Sequence, residues 1–173
     1  MGLICAVFSP TGALCKVFYA KDEALKLAFP DADRVEMRTF FLKDEELRRA
    51  EKTALTRIES KLFTFYLGKK GSSVIGYAAI DTHIVRTLPE TFMVVLTPEG
   101  KVRTTIVLAF HEPPEYLPSE RWLQQFQGKE IDPNLRLGRD IVGIAGSTLS
   151  TQAITQGVRK ILALFQILVK EKR

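Results

Sequence analysis

The chain has 173 residues, 46% of them hydrophobic and 26% charged, with a formal net charge of +5. That length suits one domain with an ordinary core, and the composition excludes wholesale disorder and low-complexity filaments. The cationic residues are spread along the chain except for the short Lys170-Glu171-Lys172-Arg173 tail, so no clustered patch points to nucleic acid.

Both cysteines, Cys5 and Cys15, fall in the first fifteen residues. Two thiols without a nearby His or carboxylate cannot close a tetrahedral metal site. The apolar stretch Gly2-Leu-Ile-Cys-Ala-Val-Phe8 runs into Ser9-Pro-Thr-Gly-Ala-Leu-Cys15. This has the form of the end of a secretory leader, with small residues at Ala13 and Cys15 before a cleavage point ahead of Lys16. Residues 1–15 are therefore expected to be a leader and residues 16–173 the functional domain, placed in the periplasm or on the outer face of the membrane. Removing the leader leaves a chain without cysteine, which suits an oxidising compartment. The run is short and no Lys or Arg precedes it, so an apolar first strand in a cytosolic protein is the alternative. No apolar run approaches the roughly 18–20 residues that span a bilayer.

From Lys16 onward the periodicity is regular. Residues 22–29 predict a short amphipathic helix: Ala24, Leu25, Ala28 and Phe29 share a face, acids fill the first turn and Pro30 ends it. Residues 34–42 alternate as a strand. Residues 43–58 predict a second, highly charged helix whose charges form a solvated face. The middle is β-rich, with strands expected at residues 62–67, 73–85, 91–96 and 101–110. Thr97-Pro-Glu-Gly100 is a tight turn, and links this short make antiparallel neighbours. Pro113, Pro114 and Pro118 force an extended loop, and Ser119 caps a third helix to Phe126. A long helix then runs to about Lys170, with Ile154, Val158, Ile161, Leu162, Phe165 and Leu168 at core spacing. The fold expected is a single α+β domain: an antiparallel sheet covered by helices, with the C-terminal helix in the core.

Residues 143–151, Gly-Ile-Ala-Gly-Ser-Thr-Leu-Ser-Thr, lead straight into that helix. Gly143 and Gly146 allow close approach of a ligand to the backbone. Free N–H groups and the dipole at a helix start favour a phosphate, and Ser147, Thr148, Ser150 and Thr151 add hydroxyls. An ordinary capped helix start explains the same composition. The segment is neither a Walker A loop nor a GxGxxG. Trp122, on an amphipathic helix, is expected in the core rather than as a stacking platform. His83 and His111 are the only histidines, and nothing converges with them on a metal site.

Ala145-Gly-Ser-Thr-Leu-Ser-Thr-Gln-Ala153 resembles the Ser-Gly-Ala-Thr-x-Thr/Ser-Ser-x-Ala signature of FMN-binding domains. Such domains occur in the flavin-carrying subunits of sodium-pumping NADH:quinone oxidoreductases and of the related Rnf-type complexes. Their signature Thr carries FMN through a phosphoester made by a dedicated flavin transferase; it corresponds to Thr148. Upstream, His111-Glu-Pro-Pro-Glu-Tyr-Leu-Pro118, then Trp122 and Phe126-Gln-Gly128, resemble the family's His, Glu-Thr-Pro-Gly-Leu-Gly loop, Trp and Phe-x-Gly. The resemblance covers residues 76–169. Ser147 stands where Ala is usual, Ala145 where Ser or Thr is usual, and Val142 where the family has Asp.

The resemblance implies an extracytoplasmic electron carrier with FMN as cofactor, covalently held at Thr148. Its implied cofactor contacts are Ala145, Gly146, Ser147, Thr148, Leu149, Ser150 and Thr151, with His111 and Glu112 from the proline loop. His111 is equally readable as a strand-end hydrogen bonder. The implied partners are a flavin transferase and redox proteins, among them a membrane respiratory complex. A non-catalytic envelope module without flavin, and an FMN-dependent reductase of a small substrate, are the alternatives.

Overall fold

The computed structural model describes residues 16–172, so the expected leader lies outside the described residues. Six strands form one antiparallel sheet: β1 (Lys16–Val17), β2 (Arg34–Phe41), β3 (Leu62–Lys70), β4 (Ser73–Val85), β5 (Leu88–Leu96) and β6 (Val102–Phe110). β2 to β6 run as a meander, each strand beside the next, and β1 adds to the free edge of β6. The link from β5 to β6 is the expected tight turn, in which the Gly100 N–H donates to the Thr97 carbonyl at 3.0 Å. The helices are α1 (Lys21–Ala28), α2 (Asp44–Ala54), α3 (Glu120–Leu123) and α4 (Thr148–Phe165), the last continued by a wider turn over Gln166–Lys170.

The alternation along the strands explains the two layers of core. Tyr77, Ala79, Phe92, Val94 and Leu96 point to one face, where they meet α4, and Ala50 of α2 with Trp122 and Leu123 of α3 complete the same cluster. Ala78, Met93, Val95 and Leu108 point to the other and are covered by Ala24, Leu25, Ala28 and Phe29 at α1. Ile154, Val158, Ile161, Leu162 and Phe165 of α4 are all buried, each contributing about 1.5–3 kcal/mol of apolar burial. Among the described residues no helix is long and apolar enough to cross a membrane.

Two close approaches fix the layers. Gly68 and Gly76 lie opposite each other on β3 and β4. A Cβ on Gly68 would come within 2.5 Å of the Phe29 ring, so the glycine pair makes room for that side chain. On the opposite face Gly157 lets α4 settle on the sheet, where a Cβ would meet Phe92, His83 and Asp81 at 2.4–2.9 Å.

Local departures from the expected elements have physical causes. α2 ends at Ala54 rather than near residue 58, because Leu55 turns into the left-handed region at φ 55° and Ile58 is drawn into the core. The Glu51 carboxylate then accepts the Ile58 N–H at 2.9 Å. The third helix tightens after Leu123 into a 3-10 turn over Gln124–Phe126. Another such turn, Pro114–Tyr116, sits within the proline loop.

Candidate functional site

The start of α4 lacks a side-chain cap, as do those of α1 and α2, and differs from every other α-helix start in having no acid in its first turn. At α1 the Glu23 carboxylate accepts the Ala20 N–H, at α2 Glu46 accepts that of Lys43, and at α3 the Ser119 hydroxyl accepts that of Trp122. Ser147 precedes α4 without a side-chain cap, and no acid lies in the first turn. The first backbone bond closes from the Thr151 N–H to the Ser147 carbonyl at 3.0 Å. The N–H groups of Thr148, Leu149 and Ser150 thus have no partner within the helix, and the dipole is uncompensated.

Sequence dictates how the loop before it is built. Gly146 takes φ 85°, turning the chain so that the Ser147 N–H donates back to the Ile144 carbonyl at 3.1 Å. The Ser147 hydroxyl reaches across to the Glu115 carbonyl at 3.3 Å, joining the proline loop to the helix start. The Trp122 indole N–H donates to the Val142 carbonyl at 2.6 Å, and Gln125 accepts the Val142 N–H at 2.8 Å. Trp122 is in the core as expected, and it also anchors the strand of chain that delivers the loop. The Val142 side chain itself is exposed.

These parts enclose a cleft of about 210 Å³. Its walls are Val85 and Arg86 at the tip of the β4–β5 hairpin, Glu112 and Tyr116 from the proline loop, and residues 146–150. The Glu112 carboxylate is buried and accepts the N–H groups of Thr87 and Leu88 at 3.2 and 3.0 Å, which holds the hairpin tip against the loop. Arg86 has φ 51°, and its guanidinium lies 5.3 Å from the centre of the Tyr116 ring. Ser150 is 1% exposed and makes no side-chain hydrogen bond among the described residues, although it lines the cleft. Thr148 is exposed on the ridge between this cleft and a second one of about 380 Å³, lined by Leu55, Arg136, Leu137, Gln152 and Gln156.

Of the residues singled out in the sequence, Gly146, Ser147, Thr148, Leu149, Ser150 and Glu112 meet in the cleft. Ala145, Thr151 and His111 do not line it. Thr151 is buried and turns its hydroxyl onto the Ser147 and Thr148 carbonyls, both at 3.0 Å. His111 bonds at the strand end: its backbone N–H and its Nδ1 both donate to the Pro89 carbonyl, at 3.3 and 3.0 Å. Arg86 and Tyr116 were not legible as site residues. Arg86 reads as an ordinary hairpin cation, and Tyr116 lies in a loop whose turn is set by three prolines.

Behind the cleft the sheet–α4 contact is unusually polar. Asp81 takes the Lys160 ammonium at 2.6 Å and lies 2.9 Å from His83 Nε2. Against the opposing effect of burial, the contact with His83 and the Lys160 charge hold its carboxyl below the usual range. Glu90, opposite His83 on β5, is fully buried with neither oxygen hydrogen-bonded. Burial, helped by the charge of Glu112, pushes its pKa up to about 8.

No family model matches the chain, and none of the curated proteins does. Three N–H groups without a partner in the helix, the Ser150 hydroxyl at the cleft wall and a nearby guanidinium fit a phosphate group. Tyr116 and Leu149 add apolar surface of the kind a flavin would use.

Proposed function

We propose that this domain is an FMN-binding electron carrier in which Thr148 bears the cofactor through its phosphate. The observation that carries this reading is the uncapped start of α4, with the exposed Thr148 as its first residue and Ser150 unpartnered beside it. The resemblance of residues 145–153 to the flavinylation signature supports the same position. The N–H groups of Thr148, Leu149 and Ser150 would receive the phosphate oxygens, and Ser150 would donate to one of them. The helix dipole favours the remaining negative charge by about 0.3–1 kcal/mol when exposed, and by more when partly buried. Bound FMN supplies electron transfer in steps of one or two electrons. The protein holds it at an open cleft where partner proteins can reach it. The partners proposed are a flavin transferase and redox proteins of the membrane, and the location proposed is outside the cytoplasm.

Co-expression with a flavin transferase tests the attachment. The wild-type band is expected to fluoresce in a denaturing gel, and the Thr148→Val band to stay dark while its circular dichroism is unchanged. A fluorescent Thr148→Val band, or a wild-type band that never fluoresces, removes the covalent-carrier reading.

A further inference from the structure

The hairpin between β4 and β5 brings one cation to the cleft. Arg86 sits at its tip in the left-handed region, φ 51°, where a residue other than glycine is strained unless the surroundings hold it. Two contacts do so: Glu112 accepts the next two backbone N–H groups, and the Tyr116 ring carries the guanidinium. The side chain is exposed and forms no salt bridge among the described residues. Across the same 210 Å³ space stand the free donors of α4 and the buried, unpartnered Ser150. A space that small is below the usual range for a whole small-molecule site and suits a compact group. The other charge on the wall, Glu112, is buried and spent on the hairpin N–H groups.

We propose that Arg86 recognises the phosphate of the ligand received at the start of α4, and so makes the site select phosphorylated flavin over riboflavin. The selection rests on the flavin reading above; the phosphate recognition does not. Arg86 closes the anion site from the side opposite the helix donors, and its fork can pair two phosphate oxygens.

Chain produced without a flavin transferase, so that binding is reversible, is titrated with FMN and with riboflavin by flavin fluorescence. Inorganic phosphate is followed by phosphorus line broadening. Arg86→Gln is expected to weaken FMN at least about tenfold and to change riboflavin by less than about twofold. Arg86→Lys should recover part of the loss, and inorganic phosphate should compete with FMN but not with riboflavin. Equal losses for both flavins, or none, overturn the selection, since Arg86 would then only shape the wall by stacking on Tyr116. If wild type binds neither flavin, the flavin reading falls. Phosphate broadening that disappears in Arg86→Gln would still uphold the anion site, and no broadening would overturn it as well.

Discussion

Glu90 shows what a single buried group does to the molecule. An ionised carboxylate with no hydrogen-bond partner is strongly disfavoured in a core, so the folded chain keeps Glu90 neutral up to a pH of about 8, against 4.5 for an ordinary Glu. Between those values the folded state holds a proton that the unfolded state has released. Its contribution to stability is complete below the unfolded pKa, falls as pH rises, and levels off above about 8. Glu90→Gln keeps the neutral shape and removes the loss. It should match wild type in urea unfolding near pH 4.5 and exceed it by roughly 1–3 kcal/mol near pH 9. A variant that keeps the wild-type pH profile would assign the slope to another group. Ser147→Ala tests the weaker link to Glu115. The 3.3 Å bond is long and its acceptor lies in an exposed residue, so the cost should stay below about 1 kcal/mol in the same assay.

At the scale of elements, α4 serves both stability and the site, because the helix that fills the core also opens the cleft. Gly157→Ala places a methyl against Phe92, His83 and Asp81, three side chains already packed or paired. The helix must lift or the Asp81–Lys160 pair must shift, at about 1–3 kcal/mol, measurable by thermal unfolding. The strands, the turn at Gly100 and the long last helix were legible because each is a local pattern of period or punctuation. Residues 143–151 were legible as an anion loop because glycines and hydroxyls before a helix announce free donors. Arg86, Tyr116 and Glu90 were not, since each acquires its role from a long-range contact that no local spacing encodes. The same holds for Thr151, whose hydroxyl composition offers to a ligand but whose helix turns it onto its own carbonyls.

On the scale of the whole molecule, one side chain joins segments far apart in the chain. Arg159 of α4 is buried and donates to four carbonyls: Thr53 and Ala54 at 2.7 and 2.8 Å, Asp132 and Leu135 at 2.7 and 2.9 Å. The first two are orphan acceptors at the end of α2, where a cation also suits the helix dipole. The second two belong to the long loop that leads towards the cleft. No carboxylate forms a salt bridge with Arg159 among the described residues, so these carbonyl dipoles are its direct partners, with the charge of Asp132 favourable nearby. Arg159→Met keeps the stem and the packing but leaves these carbonyls unmet. We expect a loss of about 2–5 kcal/mol in chemical denaturation, because several buried acceptors lose their donor together. Hydrogen exchange should rise in the last turn of α2 and around residues 132–135, well away from the hairpin that carries Arg86. A variant as stable as wild type would mean that water replaces the guanidinium at all four carbonyls, and that α2 and the loop are held by their apolar contacts with α4 instead.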